Sequence, residues 1–435
     1  MRHKKLITVI SIIFGCGFIL LVVGGVWVYK SIVSPLLVMR EVPPELREPR
    51  VITGAGLLVK TEFYQGGKGS WWRDMQDPNK LKSRLDSIQD MAVGQLDGQG
   101  DLDVGLAGQF GLTLLDRQGN VTKRINYLFE KGKSPLGTGR EKNSFHNMRL
   151  LDVEGDGICE VLGSGGLDGM ALFDHQGNVL FSRGEYGSEG QPSIHEVAAG
   201  DVDGDGIKEF IASWGYEPSK GVELLDRHGN SRWRRQEEFM PGEMAIVDVN
   251  GDGKAELVEE NGRELKIRDA QGEVKNVVQA PVYLWHVSLC PQPNNEGPPQ
   301  NLAVREGGLW LIDLDGKNYK RYEAPLSQIK LEKPRMEGVP GLPDLMTSDT
   351  EDVYRAKSVW AKLEKDRPKY LAVIANFAVI DRSLFYLYDA QGRLIYQEIL
   401  PEACNAIAVL PPENSSGREE ILVSGEKTVW RYATR

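Results

Sequence analysis

Asp201-Val-Asp203-Gly-Asp205-Gly-Ile207-Lys-Glu209 sets acidic side chains at positions 1, 3, 5 and 9 of a short, glycine-bearing stretch. Four carboxylates around one tight loop are hard oxygen donors, and the carbonyl of Ile207 at position 7 adds a fifth donor. That donor set suits Ca²⁺. Short apolar runs of strand length, Ala198-Ala199-Gly200 and Phe210-Ile211-Ala212, flank the loop. An EF-hand loop lies between helices and places its bidentate Glu at position 12. Here the Glu is at position 9, so the loop is predicted to join two strands.

The stretch recurs. Asp248, Asn250, Asp252, Lys254 and Glu256 repeat positions 1, 3, 5, 7 and 9, and Asp152, Glu154, Asp156, Ile158 and Glu160 do so again. Gln95, Asp97, Gln99, Asp101 and Asp103 form a weaker copy in which amides replace two carboxylates. Lys362 to Tyr370 keeps the register but has lost the ligands. Asp and Gly favour turns without any metal, but three copies acidic at the same positions point to chelation. More carboxylates attract a divalent cation more strongly. Calcium is therefore expected in the Asp201, Asp248 and Asp152 loops, and weakly in the Gln95 loop.

A second mark follows each loop. Asp116-Arg-Gln-Gly119, Asp174-His-Gln-Gly177, Asp226-Arg-His-Gly229, Asp269-Ala-Gln-Gly272, Asp313-Leu-Asp-Gly316 and Asp389-Ala-Gln-Gly392 each end an apolar strand. Asp-x-x-Gly between strands is a hairpin turn. The turn aspartates lie 58, 52, 43, 44 and 76 residues apart. Four strands per repeat of about 40–50 residues mark a β-propeller. The reading is an all-β fold of seven blades, with six or eight as the neighbouring counts, over residues 51–435. The seventh unit, Glu419 to Tyr432, lacks an outer strand, and Gly56 to Phe63 can supply it, removing exposed edges. The longest spacing holds an insertion at about residues 320–353, and Tyr64 to Asp86 is a second irregular segment.

These loops within blades resemble the FG-GAP or VCBS repeats of integrin α-subunit heads and many bacterial surface proteins. The resemblance covers about residues 90–435. It implies a propeller, calcium in the matching loops and a location outside the cytoplasm. The literal Phe-Gly and Gly-Ala-Pro signatures are absent, so integrin-like ligand recognition is not carried over.

Residues 6–29 carry no charge. At about 1.5 Å per residue they span a bilayer core of roughly 30 Å. Arg2, Lys4 and Lys5 precede them, so the positive-inside rule puts the tail, residues 1–5, in the cytoplasm. A linker, residues 30–50, then leads to a propeller in the periplasm or outside the cell. The apolar run is too long for a cleaved signal peptide, and no small-x-small site follows it. A net charge of −10 argues against nucleic acid, and 41% apolar residues can fill a large core. Cys159, Cys290 and Cys404 lie beyond the anchor, and no disulfide is assigned.

No Ser-His-Asp pattern, zinc-binding helix or phosphate loop is present. His146 and His195 each stand six residues before a loop, and His286 has a similar place in blade five. At the start of innermost strands they could meet at one mouth of the channel and hold a metal or an anion; the plainer reading is channel-lining polar residues. Two functions follow: a membrane-anchored extracytoplasmic binding, adhesion or scaffold module for a protein or glycan ligand, and a propeller enzyme, lyase-like on polysaccharide, with its site at the channel mouth. The first is preferred.

Overall fold

Each acidic loop joins the first strand of a blade to the second, and each Asp-x-x-Gly turn joins the third to the fourth. The computed structural model describes residues 42–66, 88–98, 102–108, 111–127, 145–165, 169–183, 194–214, 220–237, 244–284, 287–292, 298–329, 353, 355–377, 380–412 and 417–435. The chain falls into two compact units, residues 1–47 with 329–352 and residues 48–328 with 353–435. The first contributes a single helical turn, α1 (Pro44–Arg47), to the described residues. Among the described residues no helix is long and apolar enough to cross a membrane. The expected span at 6–29 lies outside them.

The second unit is a seven-bladed β-propeller. Two strands precede the blades, β1 (Arg50–Thr53) and β2 (Leu58–Gln65). Blade one is β3 (Ile88–Gly94), β4 (Asp103–Gly108), β5 (Gly111–Leu115) and β6 (Val121–Ile125). Blade two is β7 (Asn147–Leu151), β8 (Glu160–Gly165), β9 (Gly169–Phe173) and β10 (Val179–Arg183). Blade three is β11 (Ile194–Gly200), β12 (Glu209–Trp214), β13 (Gly221–Leu225) and β14 (Ser231–Gln236). Blade four is β15 (Met244–Val247), β16 (Glu256–Asn261), β17 (Glu264–Arg268) and β18 (Val274–Gln279). Blade five is β19 (Leu289–Cys290), β20 (Gln300–Arg305), β21 (Gly308–Asp313) and β22 (Tyr319–Glu323). Blade six is β23 (Arg355–Ala361), β24 (Tyr370–Phe377), β25 (Arg382–Tyr388) and β26 (Leu394–Leu400). Blade seven is β27 (Cys404–Leu410), β28 (Glu420–Gly425) and β29 (Thr428–Thr434), completed by β2.

The closing strand is where the sequence placed it. β2 runs antiparallel to β29, with Leu58 opposite Thr434 and Gln65 opposite Thr428. Glu398 ties the seam: its carboxylate accepts from Lys60 Nζ (2.8 Å), Tyr396 Oη (2.8 Å) and Tyr432 Oη (2.9 Å). β1 was not anticipated. It pairs with β26, making blade six five-stranded, and so most of β26 is buried while the outer strands β6, β10, β14 and β18 stay largely exposed. A correction concerns the insertion expected from residue 320. Tyr319–Glu323 pairs with β21 as the outer strand of blade five, so any excursion begins later; its polar alternation had hidden a one-sided edge strand.

The second strands β8, β12 and β24 are buried along their whole length, as strands sandwiched on both faces must be. The core lies between blades. Val153, Leu162 and Leu172 of blade two and Phe210, Ala212 and Trp214 of blade three share one cluster, and Ile88 and Leu106 meet Leu410 and Leu422 in another where the ring closes. The turn glycines serve this packing. Gly119 has φ +89°, and a Cβ there would stand 2.2 Å from the Phe63 carbonyl oxygen on the closing strand. Only glycine fits that approach.

Candidate functional site

The three strong acidic loops share one internal scaffold. In the third, the Asp201 carboxylate accepts from the backbone N–H of Gly204 (2.6 Å) and Gly206 (2.7 Å), and Asp205 Oδ1 accepts from Ile207 N–H (2.8 Å). Glu209 Oε2 accepts from Val202 N–H (3.0 Å). Asp248 and Asp152 repeat the first pair with Gly251, Gly253, Gly155 and Gly157, and Glu256 and Glu160 accept from Val249 and Val153. Lys254 and Ile158 donate as Ile207 does, to Asp252 and Asp156. Each loop is thus shaped by its own carboxylates, which is why the spacing recurs so strictly. Burial opposes ionisation of Asp201, but the N–H groups of Gly206 and Gly204 hold its carboxyl below the usual range. Burial pushes the Glu209 and Glu256 carboxyls up.

In the third loop, Asp201, Asp203 and Glu209 each offer an oxygen within 4.8 Å of the others. Asp203 Oδ1 is buried and accepts no hydrogen bond. Those residues fit a cation. One competitor stands beside them: Arg232, on β14 of the same blade, donates to Glu209 Oε1 (2.7 Å) and Asp203 Oδ2 (2.9 Å). In the fourth loop Asn250 Nδ2 donates to Glu256 Oε1 (2.9 Å) instead. In the weak loop Asp103 opens β4 as Glu209 opens β12; Gln99 and Asp101 lie outside the described residues. In blade six, Tyr370 Oη donates to Glu364 (2.7 Å) where a ligand would have been.

The loops are also strung together. Cys159 N–H donates to Gln95 O (2.6 Å), Lys208 Nζ to Asp152 O (2.7 Å) and Ala255 N–H to Asp201 O (2.8 Å). In each case position 8 of one loop grips position 1 of the preceding one. Cys159, Cys290 and Cys404 are free.

The histidines do not assemble into a describable site. His146 is exposed, with its N–H donating to Ser164 O (2.7 Å). The His195 side chain and His286 lie outside the described residues. A different constellation occupies the channel. Asp90 of β3 accepts from Arg149 of β7 (2.6 Å) and Lys357 of β23 (2.9 Å), and Arg149 also reaches Glu196 of β11 (3.5 Å). Burial would raise the Asp90 carboxyl, but the Lys357 and Arg149 charges hold it well below the carboxylate range. Burial brings Lys357 down to about 8, against the opposing pull of Asp90. Burial likewise raises Glu196, against the Arg149 charge. Asp90, Glu196 and Lys357 each stand five residues before the first position of their loop, at Gln95, Asp201 and Lys362. That shared register is the signal the sequence carries for this cluster.

On the loop side of this cluster lies a cavity of about 360 Å³ lined by the inner strands of blades two, three, four, six and seven, by β19 and by Lys208. A larger hollow of about 590 Å³ lies on blade six, between the connection from β1 to β2 and the degraded Glu364 loop.

No family model matches the chain, and no curated protein sequence matches it. Solved structures do. A streptogramin B lyase structure superposes with a TM-score of 0.53 at 9% identity, covering 87% of this chain and 98% of that one. BBS1N in complex with ARL6DN superposes with a TM-score of 0.51 at 9% identity, covering 80% and 92%. At that identity the likeness is one of fold. It bears out the propeller and leaves the FG-GAP or VCBS assignment resting on the loops themselves.

Proposed function

We propose that this chain is a calcium-binding β-propeller of the FG-GAP or VCBS type, held to a membrane by residues 6–29 and facing the periplasm or exterior as a binding or scaffold module. The observation that carries the reading is the meeting of Asp201, Asp203 and Glu209 oxygens within 4.8 Å in a loop already shaped by its own backbone. Asp201, Asp203 and Glu209, with Asp248, Asp252 and Glu256 and with Asp152, Asp156 and Glu160 in the sister loops, would hold the ions. Bound calcium would neutralise carboxylates that otherwise repel one another and would stiffen one face of the ring. That BBS1N was solved with a protein bound supports a protein partner as the ligand class.

The test is thermal melting of the purified full chain in calcium and in EGTA. A site held at 100-fold saturation adds about 2.7 kcal/mol, so melting should fall on chelation. An unchanged melting temperature removes the calcium assignment.

A second reading, a lyase-like enzyme, has one specific support: charged groups do converge on the axis, and a lyase shares the fold. It ranks second because those charges face each other. Asp90 is held between Lys357 and Arg149, so it is a poor proton acceptor.

A further inference from the structure

The channel cavity has a chemistry of its own. Its lining draws three cations from three blades: Arg149 from blade two, Lys208 from blade three and Lys357 from blade six. Among the described residues no acidic side chain lines it, in a chain with 62 Asp and Glu against 52 Lys and Arg. Apolar side chains, Met244, Ile246 and Leu289 among them, form most of the remaining wall, and Ser288 contributes a hydroxyl-bearing side chain.

The cations keep donors in hand. Lys357 gives one hydrogen bond to Asp90 and Lys208 one to Asp152 O, and an ammonium carries three N–H groups. The Arg149 and Lys357 side chains remain 37% and 20% exposed, so both charges stay within reach of a molecule in the cavity they line. The volume, about 360 Å³, is on the order of a dozen water molecules at ~30 Å³ each. That suits a small organic molecule better than a bare ion.

We propose that this cavity is a binding site for a small organic anion, a carboxylate with a compact hydrocarbon body, its charge set among Arg149, Lys208 and Lys357 and its body against Met244, Ile246 and Leu289. Inorganic phosphate would satisfy the cations and leave the wall wet. A neutral alcohol would cover the wall and leave the cations unpaired. Neither should compete with a molecule that does both.

Calorimetric titration of the full chain with hexanoate, 1-hexanol and inorganic phosphate tests this. Hexanoate should bind saturably at one site, at least tenfold more tightly than either other probe. Removing Arg149 or Lys357 would strip a partner from buried Asp90 and could unfold the ring, so the diagnostic variant is Lys208→Met. It should weaken hexanoate about tenfold and leave hexanol unchanged, while Lys208→Arg stays within about threefold of the parent. Circular dichroism of both variants verifies the fold. Absence of saturable hexanoate binding, equal affinity for hexanoate and hexanol, phosphate binding as tight as hexanoate, or an unaltered Lys208→Met would each overturn the assignment.

Discussion

Lys357 of blade six donates to Asp90 of blade one at 2.9 Å, past the inner strand of blade seven, although 267 residues separate them. Both are largely enclosed, with side-chain exposures of 20% and 2%. Removing one partner of a buried ion pair leaves a charge uncompensated, at a cost of about 3–5 kcal/mol. Asp90→Asn should therefore destabilise the chain strongly, since it deprives Arg149 as well as Lys357. The double variant Asp90→Asn with Lys357→Met should recover part of that loss. Urea midpoints of the four proteins of this cycle measure the coupling; strict additivity would mean that the pair does not interact.

Arg232 holds the place a cation would take beside Asp203 and Glu209. Blade two has Leu180 at the same distance from its turn aspartate. Arg232→Leu should act in opposite directions with and without calcium. In EGTA the variant should lose ~1 kcal/mol, the scale of an exposed ion pair. In calcium it should bind the ion roughly tenfold more tightly, about 1.4 kcal/mol. Melting temperatures in the two conditions should cross; parallel shifts would show that the guanidinium and the ion do not compete.

Glu260, buried on β16, has its carboxyl raised to about 7 by burial, against the Gly262 N–H and the Arg305 charge. Its folded value lies above its ordinary value of 4.5. Its contribution is then fully present below pH ~4.5 and is lost as pH rises through about 7. Glu260→Gln keeps an oxygen for Gly262 and has no charge to bury. It should match the parent near pH 4.5 and exceed it by about 2 kcal/mol at pH 8. Denaturation at the two pH values decides it; an equal difference at both would dismiss the burial of charge.

Two glycines with left-handed backbone separate strain from packing. Gly155, with φ +76°, has nothing within 4 Å of a built Cβ, whereas Gly119 meets the Phe63 carbonyl at 2.2 Å. Gly155→Ala should lose about 1 kcal/mol from φ alone. Gly119→Ala should lose at least twice that, because it also pushes β2 away from the ring. Similar losses would mean that the turn does not bear on the closing strand.

The repeat could be read because its two marks are local. Asp201 shapes its own loop through Gly204 and Gly206, and Asp116 shapes its turn through hydrogen bonds to Gln118 and Asn120. Local hydrogen bonding needs particular residues at particular spacings, so it leaves a signature. The closing strand could be inferred because blade seven lacked a partner. Other features depended on the circle. Asp90 finds Lys357 only because blades one and six both face the axis. β1 joins β26 without apolar alternation of its own, all four of its residues being exposed. Arg232 reaches Asp203 and Glu209 only because β14 and the third loop belong to one blade.

The seam between β2 and β29 has a consequence for how the molecule is made. Thr61 and Arg431 pair across 370 residues, one of the longest loop closures the ring contains, and such contacts form slowly. During synthesis, six blades can stack while the seventh waits for Thr428–Thr434. Until then the free edge of β2 and the face of blade one stay open to other chains. A chain in which β29 has not yet paired with β2 carries nearly all of the core and is still an aggregation hazard.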